Sequence, residues 1–168
     1  MRDCWTQDAS SRSRVSLGPA QPGDHAQVDS TPDPFDVDPD PRPLPGGGGA
    51  QGLSVREDGV LVGRVSWHPV PHGPSFPCVA LNIGITLVEE HRGRGLGTAA
   101  QRLLVEHLFA TTDVHRVEAS TDVDNVPEQR ALEKVGFRRE GVLRGAQLRG
   151  GVRRDLVLYS VLRGELVV

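Results

Sequence analysis

The sequence predicts a mixed α/β domain built on one mainly antiparallel, twisted sheet with helices on both faces. Three observations carry that expectation. An apolar run over residues 83–88 is followed by a short acidic link and the stretch Arg92-Gly93-Arg94-Gly95-Leu96-Gly97. After it, Leu96, Ala100, Leu103, Leu104 and Leu108 recur at helical spacing. Two runs of strand-like residues, 53–56 and 60–67, flank Asp58-Gly59, a strong hairpin signal. The segment 153–162 is apolar on both parities, as a strand covered on both faces should be.

The remaining elements follow in chain order. Residues 1–12 are polar and aperiodic and read as a disordered tail, which leaves 13–168 as a single domain. Residues 14–17 suit a first strand, stopped by Gly18-Pro19. Asp24-His25-Ala26 suits the start of a short helix. Residues 29–50 form a Pro/Asp-rich loop closed by four glycines, Gly46 to Gly49, and each X-Pro step disfavours helix. Its carboxylates Asp33, Asp36, Asp38 and Asp40 fit either a solvated loop or an acidic lip that attracts a cationic acceptor. Four prolines in residues 68–77 suggest a second loop. A helix over about 97–109 and a strand over 115–121 come next. Asn125 is a good N-cap, and Glu128 three residues on completes a capping-box pattern. That helix should stop at Gly136, a natural left-handed residue. Residues 137–142 and 153–162 close the sheet.

The totals exclude several classes. At 168 residues the chain can close one proper core. A net charge of −3 does not mark a nucleic-acid binder. The arginines of the last hairpin, Arg138, Arg139, Arg144, Arg149, Arg153 and Arg154, have no interleaved aromatics for base stacking. No apolar run reaches membrane length and no secretory core stands near the start, so a cytoplasmic protein with no membrane partner is expected. Cys4 and Cys78 sit in unrelated contexts, and no Cys/His spacing suggests a metal site.

The chemistry lies in residues 92–98. Glycines allow positive φ and close approach of a ligand to the backbone. The first-turn N–H groups of the following helix have no internal partners and carry about half a positive charge. A phosphate or diphosphate fits there, with Arg92 and Arg94 flanking it. Gly95, Gly97 and Ala100 also satisfy the dinucleotide pattern G-x-G-x-x-A, but that sheet needs more strand–helix repeats than this chain supplies. The lysine of a P-loop is absent.

The strand, R-x-x-G-x-G and helix together resemble motif A of the GNAT superfamily of acyl-CoA-dependent N-acetyltransferases. A second segment, Asn125 to Gly136-Phe137 and on through Glu140-Gly141-Val142-Leu143-Arg144, resembles the N-x-x-S…EK-x-GF-x-x-EG-x-LR signature of the RimJ/RimL-type branch. That branch acetylates N-termini of ribosomal proteins and includes small-molecule and antibiotic acetyltransferases. The resemblance implies a splay between two central parallel strands and acetyl-CoA as cofactor. It implies that Leu87 and Val88 offer backbone groups to the pantetheine arm, with the Val88 N–H facing the oxyanion. Arg92, Gly93, Arg94, Gly95, Leu96, Gly97 and Thr98 should wrap the pyrophosphate. Asn125 should meet the thiol end, and Arg130 and Lys134 the outer parts.

The departures bear on mechanism. Leu132 stands where the family has its tyrosine acid, Glu128 where the branch has its serine, and Gln147 where it can place a carboxylate. The only tyrosine is Tyr159. Glu118, on the strand beside the cradle strand, is the leading base candidate, with His68 and His72 behind it and Asp122, Asp124 and Asp155 weaker; Glu128 fits the serine's place near the thiol or, more simply, the capping box. A site without an obvious base favours an acceptor of low pKa, because an α-amine near 7.7–8.0 is already partly neutral at pH 7. The implied reaction is direct acetyl transfer to a primary amine, foremost of a small molecule such as an antibiotic or amino sugar. A protein N-terminus is the alternative acceptor, and a non-catalytic acyl-CoA-binding module is the rival from another class. A homodimer is compatible with any of these.

Overall fold

The computed structural model describes residues 5–6, 14–40 and 50–166. The four-glycine run and most of the N-terminal tail lie outside them. Among the described residues, eight strands form one sheet in the order β1-β2-β3-β4-β5-β6-β8-β7. These are β1 (Trp5–Thr6), β2 (Val15–Gly18), β3 (Gln51–Glu57), β4 (Val60–Pro71), β5 (Val79–Leu87), β6 (Arg116–Asp122), β7 (Arg138–Arg149) and β8 (Val152–Leu162). Three α-helices accompany them: α1 (Asp24–Asp29), α2 (Leu96–Thr111) and α3 (Val126–Val135). Every strand pairing is antiparallel except β5 with β6.

Most expected elements appear where the sequence places them. Asp58 and Gly59 take φ of 48° and 86° and turn β3 into β4. Gly136 takes φ of 113° and ends α3. Trp5–Thr6, expected in the disordered tail, instead pairs with β2. Two strands run longer than expected. β4 continues through Pro69, opposite Leu81, because β3 has already ended at the Gln51–Trp67 pair. The N–H that Pro69 lacks would have pointed to that vacated edge, where a proline is tolerated. β7 runs on to Arg149 past an irregularity between Leu143 and Gln147, where Gly145 adopts a positive φ of 59°.

The core lies between one sheet face and the helices α2 and α3. Val65, Ile83, Val117, Ala119, Val157, Tyr159 and Val161 meet Leu104, Leu108 and Leu132 there. Burying such side chains contributes roughly 1.5–3 kcal/mol each. The opposite face carries the residues of the other parity, among them Ser66, Asn82, Glu118 and Ser160. Among the described residues, the six-residue α1 covers part of it, and His72 lies against Glu118. Asp24 of α1 accepts hydrogen bonds from Ser54 Oγ (2.6 Å) and Arg56 Nη2 (2.7 Å), and Asp29 pairs with Arg64 at 3.0 Å. The domain therefore has an apolar, helix-covered face and an opposite face whose buried residues on β6 and β8 are polar, Glu118 and Ser160 among them.

Candidate functional site

The parallel pairing of β5 with β6 is brief. Leu81, Asn82 and Ile83 pair with Val117, Glu118 and Ala119, and there the ladder ends. β5 runs on through Leu87 and β6 through Asp122, so their carboxyl-terminal ends diverge. A cavity of about 730 Å³ occupies the gap. It is lined by residues 83–87 of β5, by Ala119 to Asp122 of β6, by the turn before α2 and by the first turns of α3.

Backbone accounting shows what this gap offers. The Val88 N–H donates to Val62 O at 2.9 Å, and the Val88 carbonyl accepts from His91 N–H. Both polar groups of Val88 are thus occupied, and the expected oxyanion contact from its N–H is corrected. Alternation along an antiparallel strand then turns the backbone groups of Ile85 and Leu87 toward β6. The Leu87 carbonyl accepts from Arg92 Nε at 3.0 Å, which leaves the Leu87 N–H and both groups of Ile85 for the gap. Ile85 escapes sequence reasoning because the strand's pairing partner must be known before its parity has meaning.

The turn before α2 has the expected form. Gly93 and Gly95 lie in the left-handed region at φ of 74° and 82°, strained for any other residue. Gly95 is the N-cap residue, and no side chain caps the helix. The N–H groups of Leu96, Gly97 and Thr98 therefore stand as an uncapped helix start, and Gly93, Gly95, Gly97 and Thr98 line the cavity. The Leu96 side chain is buried in the core and acts only through its backbone.

The two arginines are used differently from the expectation. Arg92 lines the cavity but binds Leu87 O, Pro32 O at 3.2 Å and Asp33 at 3.5 Å, so it bolts the turn to β5 and to the acidic loop. Arg94 turns away from the cavity, pairing with Glu57 at 2.9 Å and with His91 Nδ1 at 3.0 Å. Arg94 is thus corrected from a phosphate ligand to an anchor of the loop.

The acidic loop is neither merely solvated nor a free lip. Asp33, Pro34, Phe35 and Asp36 line the cavity. Asp38 accepts from the Gly150 and Gly151 N–H groups at 2.6 and 2.9 Å, and the Phe35 ring lies under the Arg149 guanidinium at 5.3 Å. Residues 32–38 therefore form a strap from Arg92 to the β7–β8 turn. Arg149 also pairs with buried Asp122 at 2.6 Å. Burial works to raise the Asp122 carboxyl, but the Asp124 N–H and Arg149 outweigh it and hold it below the ordinary range. Gln147 lines the cavity and accepts from Arg149.

On α3, Asn125, Glu128, Arg130 and Lys134 all line the cavity. Asn125 Oδ1 accepts the Glu128 N–H at 3.4 Å, so one half of the capping box forms. The reciprocal half does not: the Asn125 N–H goes to Asp122 O, and the Glu128 carboxylate accepts from Gln101 Nε2 of α2. Leu132 is 1 % exposed and belongs to the core. Tyr159, fully buried, donates to Glu133 at 3.0 Å and is a packing residue.

Glu118 does not line the cavity. It sits on the polar face one pleat from Ser120, which does. Its carboxylate is 4 % exposed and binds Arg116 Nε at 2.6 Å and His72 Nε2 at 2.7 Å; the His72 side chain is 49 % exposed. Arg116 also grips Glu140, with Ser160 Oγ donating to the same carboxylate, and these bonds, Arg116 first, push Glu140 down to about 2. Asp155 is taken by the Gly145 N–H at 2.7 Å.

Residues 42–138 match the family model described as an acetyltransferase (GNAT) domain, and the chain belongs to that family. It is 33% identical over 114 residues to the probable N-acetyltransferase YjcK of Bacillus subtilis, which covers 68% of this chain and 61% of that protein. The chain thus spans about six tenths of that relative's length. Mycobacterium smegmatis RimJ in complex with CoA-disulfide shares the fold, with a TM-score of 0.76 over 94% of this chain and 87% of that one at 22% identity. The microcin C7 self-immunity acetyltransferase MccE, solved with acetyl-CoA and AMP, superposes with a TM-score of 0.59 over 68% of this chain and 61% of that one, at 26% identity.

Proposed function

We propose that this protein transfers the acetyl group of acetyl-CoA to the primary amine of a small molecule, such as an antibiotic or amino sugar, by direct attack in a ternary complex. The observation that carries it is one cavity joining an uncapped helix start to a gap between parallel strands. The residues present fit coenzyme A. The Leu96, Gly97 and Thr98 amides would hold its diphosphate, and the Ile85 carbonyl with the Leu87 N–H would hold its arm. Asn125 would meet its thiol end, and Arg130 and Lys134 its outer parts. Bound there, it supplies an acetyl group activated as a thioester.

The chain's own groups then have separable tasks. The Ile85 N–H, nearer than that of Leu87 to the end of the ladder, is the candidate for meeting negative charge on the carbonyl oxygen, commonly a large contribution in acyl transfer. Holding an amine against the thioester is worth up to roughly 7–11 kcal/mol in ideal intramolecular cases. Glu118, enclosed by Arg116 and His72, reaches the amine's proton through the exposed His72 ring or a water rather than by contact. The relation to MccE supports a small acceptor, and Asp36 at the cavity rim supports a cationic one. A second reading, transfer to a protein N-terminus, is favoured by the likeness of residues 125–144 to the RimJ/RimL-type signature.

Release of free thiol from acetyl-CoA with glucosamine, spermidine and an Ala-led peptide tests both. Turnover of the first two supports the leading reading, and turnover of the peptide alone supports the second. Tight binding of coenzyme A with no thiol release from any acceptor would reduce the protein to a binding module.

A further inference from the structure

We propose that Glu128 enters the reaction as a neutral carboxylic acid and gives its proton to the departing sulfur, with Gln101 of α2 as its positioning residue. The inference rests on the acetyl-transfer reading and supplies the proton source that Leu132, locked in the core, does not.

The geometry has four parts. Glu128 lies in the first turn of α3 and lines the same cavity as Ile83 and Ala119, where the β5–β6 ladder ends. Its carboxylate is not used for the cap, since Asn125 N–H bonds to Asp122 O. Its partner is a neutral amide, with Gln101 Nε2 donating to Oε1 at 2.5 Å, and no ion pair to it occurs among the described residues. Gln101 is 1 % exposed, and its own Oε1 is buried without a hydrogen-bond donor. A buried carbonyl oxygen that lacks a donor destabilises the fold. Half a turn of the Gln101 amide would present that oxygen to Glu128 in place of Nε2, and only a protonated Glu128 could then donate to it.

The surroundings agree. Burial first, and then the charge of Asp33 on the strap, raise the Glu128 carboxyl to about 7, while the Gln101 bond works to lower it. The other charged groups around the cavity are Asp36 on the strap, Arg92 in the turn, and Asp122 with Arg149 on the strands. Arg130 and Lys134 on α3 itself are exposed. Asp122 and Arg149 neutralise each other, and Arg92 faces Asp33.

The step balances. As the amine nitrogen bonds the carbonyl carbon, the C–S bond breaks with its electron pair on sulfur. The Glu128 O–H bond then breaks and an S–H bond forms, while the amine's proton leaves toward Glu118 and His72. The departing thiolate, whose thiol ordinarily titrates near 8.5, is a stronger base than a carboxylate whose acid titrates near 7, so the transfer runs downhill. The Gln101 N–H steadies the carboxylate that remains, and solvent returns its proton after release.

The first test needs no acceptor. Carboxyl-carbon NMR of the ligand-free protein, assigned by comparison with E128Q, should show Glu128 titrating near 7, and titration near 4.5 would overturn the proposal. In turnover, E128Q should keep coenzyme A affinity within about threefold by calorimetry and lose kcat by about 10²-fold. It should also lose the fall in kcat above pH 7. An E128Q profile identical to wild type refutes the acid role and leaves acetyl transfer standing. A wild type that binds no coenzyme A removes both. Should E128Q fail to fold, Gln101→Met decides: losing the bond that favours the ionised form should move the alkaline fall to higher pH, and an unmoved fall refutes the assignment.

Discussion

Glu118 and Glu128 flank the end of the β5–β6 ladder on opposite sides of the sheet, and they differ in almost everything but side chain. Glu118 is clasped by a guanidinium and an imidazole on the polar face. Glu128 meets a single amide on the helix-covered side, with an acidic neighbour on the strap. A carboxyl desolvated beside a neutral amide favours its proton. Two glutamates ten positions apart thus stand in opposite surroundings, and those surroundings rather than the residue type set them apart.

The sharpest break of this contrast is thermodynamic. Glu128 is raised in the fold from 4.5 to about 7, so its contribution is fully present below 4.5 and is lost as pH rises to about 7. At 1.36 kcal/mol per unit this is about 3 kcal/mol. E128Q should therefore gain about that much over wild type between pH 4 and pH 8 in urea unfolding of ligand-free protein, even as it loses activity. Equal pH dependence in the two proteins would abolish the distinction between the two carboxylates.

Next in size, Glu118→Gln should lower kcat/KM for the acceptor by about 10²-fold and leave coenzyme A affinity unchanged. A drop confined to cofactor binding would place Glu118 with the cradle instead. The polar face gives a smaller, opposite pH signal. Glu140, held down to about 2 by Arg116 and then Ser160, stabilises the fold above 4.5 and stops doing so as pH falls toward 2. The pair is partly exposed and screened, so E140Q should cost about 1 kcal/mol at pH 7, vanishing near pH 2, as acid-titrated unfolding would register. Smallest is the strap: Asp38→Ala should raise the acceptor KM about threefold at constant kcat, a change of well under 1.4 kcal/mol. An unchanged KM would detach the strap from acceptor binding.

What the sequence made legible is local. The cradle is a strand, a glycine turn and a helix within twenty residues, and its chemistry follows from free amides and positive φ. The ends of α3 were readable from Asn125 and Gly136 for the same reason. The illegible parts are long-range. Nothing near Glu128 announces Gln101, a helix away, and the half-built capping box was the cheaper local reading. Arg92 and Arg94 look alike in a glycine turn, yet Asp33 and Glu57, each distant in sequence, set one toward the cavity and the other away. The strap reads as loop because Asp38 finds its donors 112 and 113 residues on. Strand lengths erred where Pro69 and Gly145, both breakers by composition, sit at an edge and at an irregularity that tolerate them.

The three-pair ladder between β5 and β6 has a mechanical meaning. Strands β1 to β5 succeed one another as neighbours, while β6, β8 and β7 form their own unit, so the sheet is two panels joined by a short seam and by α2 and α3. A cofactor arm lying along Ile85 and Leu87 would lengthen that seam as a surrogate strand. Occupancy should then stiffen the whole molecule, slowing amide exchange at both residues and raising the unfolding temperature far from the site of contact.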